Sequence, residues 1–340
     1  YLTLRYVAEP NTIFENIFCV QSGTYIVLKA DSALSEHQYF SYRIKDPEVV
    51  NSSDYIDALD EALVRSVETR LNADVPVGAY LSSGIDSALI CGIAGSVLGV
   101  DIQCYCAGFA HNQDNESAQA ERIAKHYGLQ FQEYLISEED LLGASVRFGQ
   151  QLDEPNGDRS CVPTYYLSRY VSSQLKVVLS GDAGDELFGG YGRYQAYRGY
   201  DRSKSDPIGA VCDYFMKALP VFPWSDVISA FPDGNRIFRS RLASRFAVLF
   251  GHSDLTSIQR YRLLDLHTYL PGAVLAKVDR MSMKHSLEVR APFISTEILD
   301  LSMRSPGQFN DDRVLKQALR HLLSKYLPPN LVCDTKKGFG

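Results

Sequence analysis

Short apolar runs alternate along much of this chain with segments whose apolar residues recur every three or four positions. Val77 to Leu81, Ile102 to Gly108, Leu129 to Ile136 and Lys176 to Ser180 each read as a short strand. Ile56, Leu59, Leu63, Val67 and Leu71 form one helical stripe behind Asp54, which is expected to cap it. Further helices are predicted from Ser87 to about Leu98 and from Glu116 to Tyr127, with Ala118, Ile123 and Ala124 inward. Two more are predicted after Ser137, a cap with Asp140 three residues on, and from Val162 to Val171. Such alternation through short links predicts an α/β fold with a doubly wound, mostly parallel sheet. Ligands of such sheets bind beyond the carboxyl ends of the strands, where Ser82 and Ser180 fall. After Tyr191 the pattern turns helical and irregular, so a helical C-terminal part without strands is expected.

Residues 1–45 follow a different rhythm. Tyr1 to Val7 and Gly23 to Leu28 alternate roughly by two around a turn at Glu9-Pro10-Asn11. So few strands are not stable alone, so this segment reads as a short β-rich remnant of a larger sheet upstream. A linker from Lys45 to Ser53 would join it to a main domain over 46–340. The start at Tyr1 rather than Met agrees with a piece of a longer protein.

The totals exclude some classes. With 340 residues, 45% hydrophobic and 22% charged, the chain suits a globular protein with a sizeable core. No apolar run is long enough to span a bilayer, so no membrane role is expected. A net charge of −7 argues against a broad nucleic-acid surface. Seven cysteines, several inside apolar runs, predict free core thiols in a reducing, cytoplasmic setting. Neither they nor the seven histidines show zinc spacing.

Two polar turns carry the candidate chemistry. In Ala79-Tyr80-Leu81-Ser82-Ser83-Gly84-Ile85-Asp86-Ser87 a buried strand runs through small residues into a helix start. The unpaired N–H groups and the positive dipole end there suit phosphate. In Leu179-Ser180-Gly181-Asp182-Ala183-Gly184-Asp185-Glu186 a second strand runs into three acids within five positions. Carboxylates so close call for a cation, and Mg²⁺ with a triphosphate supplies one. The chain has no Gly-Lys pair, so a Walker-type loop is absent. Phosphate would be held by backbone N–H and serine hydroxyls instead.

The first turn resembles the PP-loop of ATP pyrophosphatases, usually Ser-Gly-Gly-x-Asp-Ser. Leu179 to Tyr191 resembles the Leu-Ser-Gly-Asp/Glu-Gly-x-Asp-Glu-x-Phe-Gly-Gly-Tyr signature of asparagine synthetases. Lys277 to Met283, Leu287 to Phe293, Asp153-Glu154-Pro155, Pro163-Thr164-Tyr165 and Lys336 to Gly340 are similar to further signatures of that family, in order along nearly the whole chain. The resemblance implies an amide ligase of asparagine synthase type. ATP and a carboxylate, most simply the side chain of aspartate, give an acyl-adenylate and pyrophosphate, and ammonia then attacks. In glutamine-dependent members an N-terminal glutaminase domain supplies the ammonia. Residues 1–45 resemble the end of that domain, whose catalytic part is missing here.

The resemblance also implies roles. Leu81, Ser82, Ser83, Gly84, Asp86, Ser87, Ala107, Ser180 and Gly181 would bind ATP, and Asp86 and Asp185 would hold Mg²⁺. Asp182 and Lys336 would be catalytic, the lysine opposing charge on the α-phosphate and pyrophosphate. Small-molecule substrates are expected, with no nucleic acid and no membrane partner; a homodimer is left open. Three positions depart from the pattern. Ser83 replaces a PP-loop glycine, and is strained if that position needs a positive φ. Asp334 stands where the lysine motif usually begins with arginine, and Ser295 where an aspartate is common. Other readings keep the ligase chemistry on a sugar acid or peptide, or make the chain a PP-loop tRNA-modifying enzyme or a non-catalytic nucleotide-binding protein.

Overall fold

A computed structural model describes residues 1–30, 34–42, 51–109, 116–197, 205–217, 222–251, 255–306, 309 and 314–332. The chain divides into two compact units. One holds residues 47–152, 158–191 and 275–340, and the other 1–46, 153–157 and 192–274.

The first unit is built on a five-stranded sheet. Its strands are β3 (Val77–Tyr80), β4 (Gln103–Phe109), β5 (Gln130–Ile136), β6 (Val177–Leu179) and β7 (Glu288–Arg290), in the order β5-β4-β3-β6-β7 with every pairing parallel. The chain runs outward from β3 through β4 to β5, then returns to place β6 on the other side of β3. The topological switch point is therefore between β3 and β6, where open α/β sheets bind ligands. The expected mixed α/β architecture is present.

Apolar strand residues, with Leu287 just before β7, explain the core. Tyr105, Ala107, Ile136, Val178 and Leu287 pack with Leu167 and Val171 of helix α5 (Cys161–Ser172). Helix α1 (Ser52–Leu71) buries Tyr55, Ile56, Leu59, Ala62, Leu63, Ser66 and Val67, a stripe at helical spacing. Its cap is Asn51 rather than Asp54: the Asn51 side chain accepts from the Asp54 N–H at 2.9 Å. The cap expected before α4 (Glu138–Gln151) is present in reciprocal form. The Asp140 N–H donates to Ser137 Oγ at 3.1 Å, and the Ser137 N–H to Asp140 Oδ2 at 3.1 Å. Strand β7 corrects the expectation of a strandless C-terminal part. Its three residues, two of them charged, carry no apolar pattern. It is a strand because it pairs with β6, Val178 opposite Val289.

In the second unit, β1 (Thr24–Leu28) and β2 (Leu34–Gln38) form an antiparallel pair. Residues 1–7 are turns, not the expected strand. Leu4, Tyr6 and Ala8 are buried as their spacing suggests, but Arg5 is left-handed (φ 69°), which breaks an extended run. Helices Pro207–Lys217 and Ser257–His267 supply the unit's buried polar centre. Asp265 there is fully buried and its Oδ2 accepts from Arg193 Nη2 (2.7 Å), Tyr194 Oη (2.6 Å) and Tyr214 Oη (2.7 Å). Of the seven cysteines, Cys91, Cys104, Cys106, Cys161 and Cys212 are free and buried as expected, and Cys19 is free and exposed. Cys333 lies outside the described residues. No helix among the described residues is long and apolar enough to cross a membrane.

Candidate active site

Both turns singled out in the sequence emerge at the switch point. The Leu81 N–H still bonds to the Tyr105 carbonyl (2.9 Å) and the Ser180 N–H to the Arg290 carbonyl (2.9 Å), so each turn starts where its strand pairing ends. Ala107 lies inside β4, two residues before its end. It is nevertheless past the end of β3, because Tyr80 pairs with Tyr105.

The first turn is closed by its serines. Ser87 Oγ lies 3.0 Å from Ser82 Oγ and accepts the Ser82 N–H at 3.1 Å; Ser82 Oγ accepts the Gly84 N–H at 3.1 Å. Two of the backbone donors assigned to phosphate are thus engaged within the turn. The turn feeds helix α2 (Ile85–Gly92), whose cap residue Gly84 has no side chain to satisfy the helix's first N–H groups. Ser83 is buried and is not among the positive-φ residues, so the strain considered for it is absent.

The strain sits in the second turn. Ala183 is left-handed (φ 75°) at the foot of α6 (Gly184–Phe188), at the position where the signature carries glycine. A left-handed residue with a Cβ costs about 1–2 kcal/mol. The twist brings the turn against α2. A Cβ on Gly184 would stand 2.6 Å from Asp86 Oδ1, and one on Gly190 would overlap both the Asp185 carboxylate and the Lys316 side chain. Only glycine permits this approach. Asp182, half-buried, accepts from Ser180 Oγ at 2.7 Å, and Glu186 is buried and accepts from Tyr191 Oη at 2.5 Å.

Asp86 and Asp185 converge on one cation. The cation between them is the Lys316 ammonium, 2.6 Å from Asp185 Oδ1 and in contact with Asp86 Oδ2. Burial alone would lower the Lys316 pKa; the two carboxylates more than offset it and hold the ammonium charged. Lys316 was not foreseen as a site residue. A signal was present: Lys316 precedes the apolar Leu319 and Leu323, both buried, by three and seven positions, and a lysine that leads into a buried stripe needs an anionic partner. Among the described residues no group of three or more His, Cys, Asp or Glu gathers around a metal position. Two carboxylates nonetheless fit Mg²⁺, which takes its other ligands from phosphate and water, and the ammonium marks the position as one for a cation. Lys336 and Asp334 lie outside the described residues.

The other signature residues hold the frame. Arg290 bonds to Glu288 Oε1 (2.7 Å) and to the carbonyls of Arg70 (2.8 Å) and Asn72 (2.9 Å), tying β7 to the end of α1. Lys277 bonds to Ser160 Oγ (2.7 Å) and Asp158 Oδ2 (3.2 Å) at the start of α5.

The fold and site define an α/β protein with two small-residue turns and a carboxylate pair bridged by a lysine at the switch point of a parallel sheet. Residues 58–340 match the family model described as asparagine synthase, and the chain belongs to that family. Over its whole length it is 25% identical to asparagine synthetase [glutamine-hydrolyzing] 1 of Bacillus subtilis, covering 58% of that protein. It is 30% identical to a Mycobacterium tuberculosis protein provisionally named a glutamine-hydrolysing asparagine synthetase, covering 56% of it. The chain thus spans a little over half the length of these relatives. Among solved structures, an NH3-dependent NAD synthetase from Campylobacter jejuni aligns over 57% of this chain and 98% of its own, with 15% identity and a TM-score of 0.29.

Proposed function

We propose that this chain is the synthetase part of an ATP-dependent amide ligase that activates a carboxylate, most simply the side chain of aspartate, and passes it to ammonia. The observation that carries the reading is the meeting of Asp86 and Asp185 around one cation, between two strand-end turns, in a chain of the asparagine synthase family. The turn from Ser82 to Ser87 would hold the β and γ phosphates with α2 behind it. Leu81, Ala107, Ser180 and Gly181 would line the nucleotide. Asp86 and Asp185 would hold Mg²⁺, which neutralises phosphate charge when bound.

The acceptor carboxylate attacks the α-phosphorus and pyrophosphate leaves. Ammonia then attacks the acyl carbon and AMP leaves, giving the amide. Asp182, which accepts a hydrogen bond from Ser180 Oγ, would take a proton from the attacking ammonia, and Lys336 would oppose charge on the phosphates. In a glutamine-dependent protein, the part of the relatives that this chain does not cover would supply the ammonia.

The test is ATP–pyrophosphate exchange across a panel of carboxylic acids, with product mass analysis in the presence of ammonium. Aspartate is expected to support exchange and to yield asparagine. Exchange with a sugar acid or peptide and none with aspartate would move the acceptor to that class. No exchange with any acid would leave only nucleotide binding.

A further inference from the structure

We infer that Lys316 is an internal counter-ion that occupies the metal position until nucleotide arrives, so that a divalent metal enters this centre with the nucleotide and not ahead of it. The inference rests on the assignment of Asp86 and Asp185 as metal ligands, and the experiment below separates the two. Three observations carry it. The Lys316 ammonium contacts both carboxylates at once, so a divalent ion and the ammonium compete for the same oxygens. Lys316 is held left-handed (φ 54°, ψ 38°), a strained backbone state of the kind found at functional positions. It is also nearly buried, at 8% exposure, with its side chain passing the bare face of Gly190.

Charge decides the order of events. The ammonium holds the carboxylate oxygens that a divalent ion would take, so the ion cannot be seated there while the ammonium stays. Expelling a buried ammonium with no anion to receive it is unfavourable. A metal–nucleotide complex removes that obstacle. The metal takes the carboxylates and the phosphate oxygens take the ammonium, so every charge exchanges one partner for another. A lysine that served only as a structural tie would instead be needed for the carboxylates to stay together, and removing it would not create a metal site.

The experiment is Mn²⁺ titration of the whole chain, followed by the loss of the free-ion paramagnetic resonance signal. It uses wild type, Lys316→Met and the double variant Asp86→Asn/Lys316→Met, each with and without α,β-methylene-ATP. Without nucleotide, Lys316→Met is expected to bind Mn²⁺ at least about tenfold more tightly than wild type, since a like charge at contact distance is gone. The double variant should lose that gain. With the analogue, wild type should gain at least about tenfold and Lys316→Met much less, because its obstacle is already absent. Equal Mn²⁺ affinity of wild type and Lys316→Met without nucleotide, while wild type still gains with it, would overturn the role of the lysine and keep the metal site. Failure of every form to bind Mn²⁺ through Asp86 would overturn the metal assignment itself. Should Lys316→Met not fold, wild type alone decides: tight Mn²⁺ binding without nucleotide refutes the inference, and metal binding only with it supports the inference.

Discussion

Two buried charge clusters among the described residues, one in each unit, are built on opposite plans. Around Asp265 one carboxylate meets one guanidinium, and two tyrosine hydroxyls add further donors. Arg193 is fixed in turn, its guanidinium 4.5 Å above the Tyr269 ring. Opposite charges meet directly, and aromatic rings brace them. At Asp86 and Asp185 two carboxylates share one ammonium on a long flexible stem, and the backbone beneath both Lys316 and Ala183 is left-handed. A direct ion pair braced by aromatic rings specifies packing. Two acids around one ammonium on a long stem, over strained supports, are suited to a change of partner.

The sharpest break of this comparison is Asp265→Ala. It takes Asp265 away from the largely buried Arg193 guanidinium and from the two tyrosine hydroxyls that donate to it. Losing one partner of a buried pair costs about 3–5 kcal/mol. Denaturant unfolding should show a loss of that size. A loss under about 1 kcal/mol would remove the structural role given to the cluster.

Asp185→Asn should behave the other way round. It removes one of the two carboxylates at the Lys316 ammonium and leaves Asp86 paired with it, so stability should hold. Pyrophosphate exchange should nevertheless fall by about 100-fold or more, the scale seen when one electrostatic support of a transition state is removed. A variant that unfolds while its residual folded fraction keeps full turnover would place Asp185 in the frame and not in the site.

Both turns and Asp86, Asp182 and Asp185 were legible from the sequence, because each feature is local: a strand, small residues, a helix start, close acids. Strain was legible in kind but not in place. Ser83 was the suspect because a glycine is usual there, yet it is not left-handed; Ala183, also at a glycine position of its signature, is. Lys316 was hidden because its partners lie 230 and 131 positions away in the chain. Strand β7 was hidden because its sequence, Glu288-Val289-Arg290, has no apolar pattern and takes its form from β6. Local chemistry is written locally, whereas long-range pairing is written only in the fold.

Ala183→Gly measures the strain beneath the two-acid cluster. Glycine reaches a positive φ without the Cβ clash but adds freedom to the unfolded chain, so the two effects partly cancel. The net gain expected in denaturant unfolding is about 0.5–1 kcal/mol. A loss of stability would mean that the Ala183 methyl, buried at 2% exposure, contributes more by packing than its backbone costs.

The smallest effect concerns a third plan, a titratable group with no counter-charge. The ring of half-buried His285 lies 4.4 Å from that of Tyr165, and its Nε2 is buried with no hydrogen-bond partner among the described residues. Burial, helped by the nearby Arg169 charge, lowers its pKa below the usual 6.5. The neutral form is therefore favoured in the fold, while the unfolded chain takes up a proton near 6.5. The stability this contributes is complete above about pH 6.5 and is lost as pH falls through that value toward the folded pKa. Melting temperature should be level from pH 8 to 7 and begin to decline below about 6.5. His285→Phe keeps a ring against Tyr165 and removes the proton, so it should flatten the first part of that decline. Lys316 does not enter this window, because its two carboxylates hold it charged well above it. If His285→Phe leaves the decline unchanged while Lys316→Met removes it, the two-acid cluster is the pH-sensitive one, and the contrast between a braced ion pair, a two-acid cluster and a lone ring is wrong at its third member.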